Sequence, residues 1–514
     1  MARKYIKATA AVVALGLGVT ALAGCTGQKA EEETGDPTEI TMLVLGDKPT
    51  NGRLEAMLDK LNERLVEKAN AKLDLFYVEW ADWQTQYNLQ LLSGDDNVDL
   101  ITTATDWLFA WENAEKGAFL PLSEDMLKEN APKTWEQVDG AGDWDLTKLD
   151  DGQIYFIPED DFTQYTNHGF FYRGDWAKAA GFEDGNITKF EDFTKYFQWV
   201  KDNKPEAYPW DVAGDASADL TGYMQGHTDM QTLQQVSAGN YYPFQTTEAD
   251  PDTVTSWYME GDELVEAAEL AKQWNEIGVW REDALNYDGD TREELYAGLS
   301  GADQHHTQTF IGQIYDNLSK KQPGSDPKFF YWGQENGNVF KDIKTHGAMA
   351  VSAYSKHPEK ALQVYDLLRN DEESYRLINY GIEGTDYVIT DDGKLGYPEG
   401  YDSSTDSLGS NFWAGRRDSL ELDRVTDAPN KQEIYDGLNA VAKDYPYSTL
   451  LINKDAIDPT LAAMAGVLSQ YIPQLAAGKY DDPAAAVAEM RQALKDAGYE
   501  DARASIQADI DAWK

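Results

Sequence analysis

This sequence has one cysteine, Cys25, in 514 residues. No disulfide can form within the chain, so packing and hydrogen bonds alone must hold the fold. Cations are also scarce: 44 Lys and Arg stand against 91 Asp and Glu, giving a formal charge of −47. A field of that sign repels phosphate backbones and anionic lipid headgroups, which argues against nucleic acid as a partner and against attachment to a membrane by charge. After Cys25 no apolar run reaches the roughly 20 residues that a spanning helix needs. Catalytic signatures are missing too. There is no Gly-x-Ser-x-Gly, His-Glu-x-x-His, P-loop or further cysteine, and Asn286-Tyr287-Asp288-Gly289-Asp290 lacks the glycine and terminal glutamate placement of an EF-hand loop. No His-x3-His or Cys pattern supports zinc, and adjacent His305 and His306 would point to opposite faces of a strand. No metal, cofactor or enzymatic activity is expected.

What is present starts at the N-terminus. Arg3, Lys4 and Lys7 precede an apolar, small-residue run over 8–22, followed by Leu22-Ala23-Gly24-Cys25. The run is too short to span a bilayer and reads as a signal peptide over 1–24. Small residues just before a cysteine resemble the lipobox of bacterial lipoproteins, which implies that Cys25 becomes the acylated N-terminus and a lipid anchor. Residues 25–38 carry Glu31-Glu32-Glu33, Gly27, Gly35 and Pro37 with almost nothing apolar, so they are expected to form a lipid-anchored flexible tether. Loss of the three basic leader residues makes the mature chain more negative still.

The remainder is too long for one compact core and suits two lobes. It is rich in aromatics, with 15 Trp and 29 Tyr beside 17 Phe. Most must be core, but Trp and Tyr each offer a flat apolar face and a hydrogen-bonding edge, the pairing that a sugar ring and its hydroxyl rim require. Glu39 to Leu45 is an apolar, β-favouring run. Leu54, Leu58, Leu61 and Leu65 then fall at helical spacing, and strands are expected at 72–78 and 98–102. This βαβαβ order predicts an α/β sheet that is at least partly parallel. Ligands of such sheets lie at loops beyond the carboxyl ends of strands. Those loops hold Trp80, Trp83, Asp106 and Trp107. Further on, a helix is expected over 190–201 with Thr188 as its N-cap, a strand over 254–258 and a helix over 264–277, while 208–243 has no readable periodicity.

Several stretches resemble the extracellular solute-binding lipoproteins of bacterial ABC transporters. They include Gly117-Ala118-Phe119-Leu120-Pro121-Leu122, Asp151-Gly152-Gln153-Ile154-Tyr155-Phe156-Ile157-Pro158 and Phe171-Tyr172-Arg173-Gly174-Asp175-Trp176. Ser355-Lys356-His357-Pro358-Glu359-Lys360 with Tyr380-Gly381-Ile382-Glu383-Gly384 is closest to the large LplA-type, family 1-like members associated with oligosaccharide uptake. The resemblance implies a two-lobed periplasmic-binding-protein-like fold, each lobe an α/β sheet with flanking helices, joined by a multi-segment hinge. It places lobe 1 at 39–158 plus about 352–395, and lobe 2 at 159–351 plus about 396–514.

It also implies a monomeric receptor, lipid-anchored at the extracellular face of a Gram-positive cell membrane, that captures an oligosaccharide between its lobes and delivers it to permease subunits. Trp83, Asp106, Trp107, Trp210, His305, Trp332, Trp413 and Arg416 are the candidate ligand-binding residues. A peptide or other polar solute in the same fold is the alternative. A surface glycoside hydrolase is less favoured, because 91 acidic residues guarantee some pair at catalytic separation whatever the function.

Overall fold

The computed structural model describes residues 35–514 apart from 95, 150, 161–167, 215–219, 342, 403–404 and 455. The signal peptide, Cys25 and nearly all of the tether expected from the sequence lie outside the described residues. The strands that carry the architecture are, in chain order, β1 (Thr38–Leu45), β2 (Ala71–Val78), β3 (Leu100–Thr103), β4 (Phe156–Pro158), β5 (His168–Arg173), β6 (Met230–Thr232), β7 (Gln245–Thr247), β8 (Ala302–His306), β9 (Pro327–Tyr331) and β10 (Ala348–Val351). They form a five-stranded sheet of order β2-β1-β3-β10-β4, a three-stranded sheet of order β8-β5-β9, and the small β6-β7 pair.

In the larger sheet β1 runs parallel to β2 and β3, with Met42 beside Leu100 and Leu43 beside Ile101. The continuous apolar run of β1 follows from helices covering both faces. Ile40, Met42 and Val44 pack on Leu54, Met57, Leu61 and Leu65 of helix Arg53–Ala69 and on helix Pro358–Asn370. Leu43 and Leu45 point the other way, towards Tyr87, Leu91 and Trp111. β10 enters antiparallel between β3 and β4, so this sheet is mixed.

The smaller sheet is antiparallel throughout. Phe170 and Tyr172 face a large aromatic core with Phe193, Phe197, Trp210 and Trp274, while Phe171 faces Phe310 and Ile314. Helix Glu263–Ile277 and the C-terminal helices Asp458–Ala476, Pro483–Asp496 and Tyr499–Trp513 share that aromatic core. Among the described residues no helix is long and apolar enough to cross a membrane.

Two local expectations are corrected. The helix expected from 190 begins with a 3-10 turn, Phe190–Asp192, and becomes regular over Phe193–Asn203 with no side-chain cap, so Thr188 does not cap it. The run 254–258 is not a strand. It makes one bridge, Thr255 to Gln245, and its Trp257 and Tyr258 fill the aromatic core. Burial, not sheet pairing, explains its apolar composition.

The chain leaves the larger sheet at β4, and a fully buried arginine fixes that exit. Arg369 donates from Nη1 to the Pro158 carbonyl (2.7 Å) and the Tyr365 hydroxyl (2.9 Å), and from Nη2 to Gln137 Oε1 (2.5 Å). Gln137 Nε2 in turn donates to Asp160, which also accepts from Arg417. Arg369→Met is expected to lower unfolding stability by about 3 kcal/mol, since charge-assisted bonds go and a carbonyl is left buried without a donor. Urea unfolding of the purified chain checks this; an unchanged midpoint would show that the exit is fixed by other contacts.

Candidate functional site

Loops at the carboxyl ends of the parallel strands build one wall. Thr105, just after β3, donates its N–H to the Thr345 carbonyl (3.0 Å), and the two threonine hydroxyls meet at 2.6 Å, both buried. This ties the loop after β3 to the segment before β10 and sets His346 beside Asp106, with Nδ1 and Oδ2 2.7 Å apart. Trp107 Nε1 donates to the His346 carbonyl (3.1 Å), and Trp83 meets Trp107 edge-on at 5.5 Å. Asp106, Trp107 and Trp83 therefore sit together, fixed by a partner strand that local sequence does not reveal.

The second wall rises from the smaller sheet. Trp332 follows β9, donates its backbone N–H to the His168 carbonyl (2.9 Å), and lies 5.8 Å ring to ring from His168. Helix Thr221–His227 lies directly on Trp332 because Gly222 has no side chain; a Cβ there would stand 2.6 Å from Cε2 of the indole. From one helix face Thr221, Met224 and Gln225 then point into the gap. Gln234 is held by its backbone N–H donating to the Tyr445 hydroxyl (3.0 Å), which itself donates to the Thr232 carbonyl (2.9 Å).

Between the walls lies a cavity of about 400 Å3. Four polar atoms of its lining residues are buried with no hydrogen-bond partner among the described residues: Asp106 Oδ1, Gln225 Oε1, Gln234 Oε1 and Trp332 Nε1. Each such atom costs about 1–3 kcal/mol when left dry. Three accept and one donates, so a ligand bearing hydroxyl groups satisfies all four. Asp106 is the only carboxylate among the described lining residues, and no Lys or Arg lines the cavity. A larger cavity of about 790 Å3 lies elsewhere, between Phe109 and Glu112 on one side and Lys454 and Trp513 on the other. It is bridged by the Lys454–Glu112 ion pair, which commits its central polar groups to each other, so we assign the smaller one as the site.

The remaining candidates are placed differently. Trp210 is 7% exposed and packs edge-on against Phe170 in the aromatic core; with His305 it lines a separate cavity of about 380 Å3. Arg416 is committed to Asp418 (2.9 Å) and Glu421 (3.5 Å). Trp413 lies on an exposed aromatic shelf beside Trp107. Gln225, Gln234 and His346, which sequence reading did not single out, are on the cavity wall.

His305 and His306 do not diverge as strand neighbours would. β8 ends at His306 and a helical turn begins, so their rings come within 3.9 Å and both meet His168. Among the described residues no group of three or more His, Cys, Asp or Glu side chains is arranged to hold a metal ion. Burial, then the neighbouring His168, pushes the pKa of His305 down to about 4, and burial with three other imidazoles and Arg292 pushes that of His306 lower still.

The family described as bacterial extracellular solute-binding protein matches residues 52–374. The chain belongs to this family. A second match, described as a domain of unknown function, covers 446–514, the segment of the three C-terminal helices. A carbohydrate ABC transporter substrate-binding protein of Streptococcus pneumoniae serotype 4 is 24% identical, over 99% of this chain and 98% of the relative. Among solved structures, the N-glycan transport solute-binding protein NgtS of Streptococcus pneumoniae is 20% identical with a TM-score of 0.73, covering 92% of this chain and 98% of that one. The alginate-binding protein AlgQ2 is 18% identical with a TM-score of 0.66, covering 94% and 100%. These structures share the two-lobed α/β fold read from the two sheets.

An unfolded imidazole takes up a proton near pH 6.5, whereas folded His305 and His306 refuse it until far lower pH. Stability is therefore full above about pH 6.5 and falls as the pH drops towards 4. Asp303, pushed up to about 6 by burial, works in the opposite sense but is a single group. The double variant His305→Asn/His306→Asn keeps Asp303 and should lose less melting temperature between pH 7 and pH 5 than the parent, by differential scanning calorimetry. Equal losses would mean that these imidazoles titrate normally.

Proposed function

We propose that this chain is the solute-capturing component of an ABC importer, closing its two lobes on a neutral oligosaccharide and presenting it to the permease. The observation that carries this reading is the cavity between the walls, where the four unpartnered polar atoms and the Trp332 ring converge from both sheets. A ligand touching both walls favours the closed form by the free energy of those added contacts, and the permease would read that closure. The hinge would be the exit after β4 and the return before β10, with 39–158, β10 and about 352–395 on one side. β10, which the sequence reading places in lobe 2, pairs within the larger sheet. Relatives named for carbohydrate transport, and a solved NgtS complex with Man1GlcNAc, support an oligosaccharide as the solute.

The two other readings fit the site less well. Glycoside hydrolysis ordinarily needs two carboxylates flanking the bond, and among the described residues the cavity offers Asp106 alone, already paired with His346. A peptide needs fixed charges for its termini, and no Lys or Arg is among the described residues that line the cavity. The receptor would be a monomer, acylated at Cys25 and tethered to the outer face of a Gram-positive cell membrane.

A thermal-shift screen of the chain from residue 26 onward against neutral oligosaccharides, acidic oligosaccharides and short peptides tests the function. A stabilising shift is expected with a neutral glycan series and no released sugar, because a ligand of the folded state raises the melting temperature by mass action. Asp106→Ala and Trp332→Ala should each weaken that glycan at least about tenfold by calorimetry, near the loss of one charged or aromatic contact. Peptide-only shifts, or released sugar, would overturn the reading. Separately, Cys25→Ala in full-length protein should abolish acylation and release the protein into the medium; retention on the cell would contradict the anchor.

A further inference from the structure

Two tryptophans near the site are exposed large apolar side chains. Trp80 is 42% and Trp413 41% accessible, and they stack on each other at 5.8 Å with planes 19° apart. Both also contact Trp107, at 6.3 and 6.2 Å. Trp107 is bonded through Nε1 to the His346 carbonyl, and its ring lies 6.2 Å from the His346 ring on the cavity wall. The aromatic surface is thus continuous from the cavity lining to the outside. It is assembled from three chain segments far apart in sequence.

The shelf is also held rigid. Trp413 opens a 3-10 turn, Trp413–Gly415, whose neighbours Phe412 and Ala414 are buried in the core of the larger sheet. The Ala414 carbonyl accepts from the buried Tyr365 hydroxyl (2.7 Å), and Phe412 lies over Gly415, where a Cβ would meet the ring at 1.9 Å. Trp80 opens another 3-10 turn directly after β2, with its N–H donating to Asp47 Oδ1 (3.3 Å). Asn411, in a left-handed conformation, donates from Nδ2 to the Leu45 carbonyl (2.8 Å) and brings its own polar group to the edge of the shelf. Exposed indoles with buried flanks and a polar rim make a surface on which a sugar's C–H face stacks while its hydroxyls reach Asp47 and Asn411.

We propose that Trp80 and Trp413 form an outer subsite that stacks the sugar units overhanging the cavity, so that the protein grips a glycan longer than the cavity holds and its affinity rises with chain length. This rests on the oligosaccharide reading above and adds to it a second contact region, outside the lobes' enclosed gap, and Trp80 as a specificity residue. The occupant is the distal part of the same ligand, because the shelf continues the wall that grips the proximal part.

The test is calorimetry of the chain from residue 26 onward with Man1GlcNAc and with Man5GlcNAc, repeated for Trp80→Ala and Trp413→Ala, with melting temperatures confirming that each variant is folded. The expected result is that the longer glycan binds about tenfold more tightly to the parent, near the worth of stacking on an aromatic pair. In both variants its affinity should fall to that of the shorter one. If Man5GlcNAc binds no better than Man1GlcNAc, or if its advantage survives both substitutions, the outer subsite is overturned while the receptor reading stands. Absence of binding by either glycan to the parent would overturn both.

Discussion

The architecture depends on one short antiparallel pairing. β10 lies between β3 and β4, with Ala350 opposite Ile101 and Phe156, and Met349 opposite Thr102 and Ile157. The chain can build a second sheet only after leaving at β4, and it must return in register at β10. That return delivers Thr345 and His346 to the loop after β3, so the sheet that closes the first core also orients Asp106 and Trp107. Arg369 and Asp160 clamp the exit strand from the helix side, which lets the strand ends hold position while the second sheet sits at the far side of the gap.

The site follows from what this arrangement leaves unsatisfied. Buried polar groups in folded proteins are nearly always paired, so four partnerless atoms around one cavity form a concentrated cost. Held by neighbours that are themselves bonded, they lose little entropy when a ligand arrives, and the ligand's hydroxyls recover the cost. Among the described lining residues, the absence of fixed cations and the single, already paired carboxylate keep the wall nearly neutral within a very acidic chain. A neutral polar solute suits such a wall better than a charged one.

Much of the first sheet was legible from sequence. The leucine spacing of 54 to 65 and the apolar strand before it translate directly into helix Arg53–Ala69 on β1, because period and burial agree there. The loops after β2 and β3 could also be named, since strand polarity fixes which end faces a ligand. The second wall was not legible: Gln225 and Gln234 sit in a seven-residue helix and an irregular segment without periodicity, and their placement comes from Gly222, Trp332 and Tyr445, distant in sequence. Trp210 and Trp332 are the same residue type with similar burial and both pack on Phe170 in the aromatic core, yet only Trp332 also lines the cavity between the walls. Composition alone could not separate them. His346 was hidden because a histidine before a strand carries no local sign of the carboxylate it meets 240 residues away.

The receptor function requires one solute to be gripped by both walls at once. A crystal structure of the chain from residue 26 onward with a bound neutral oligosaccharide tests it most directly. A sugar unit is expected between Trp332 and the Asp106–Trp107 loop, with hydroxyls within hydrogen-bond distance of Asp106 Oδ1, Gln225 Oε1 and Gln234 Oε1. A sugar held by one wall only, or lodged in the cavity beside Lys454 and Trp513, would contradict it.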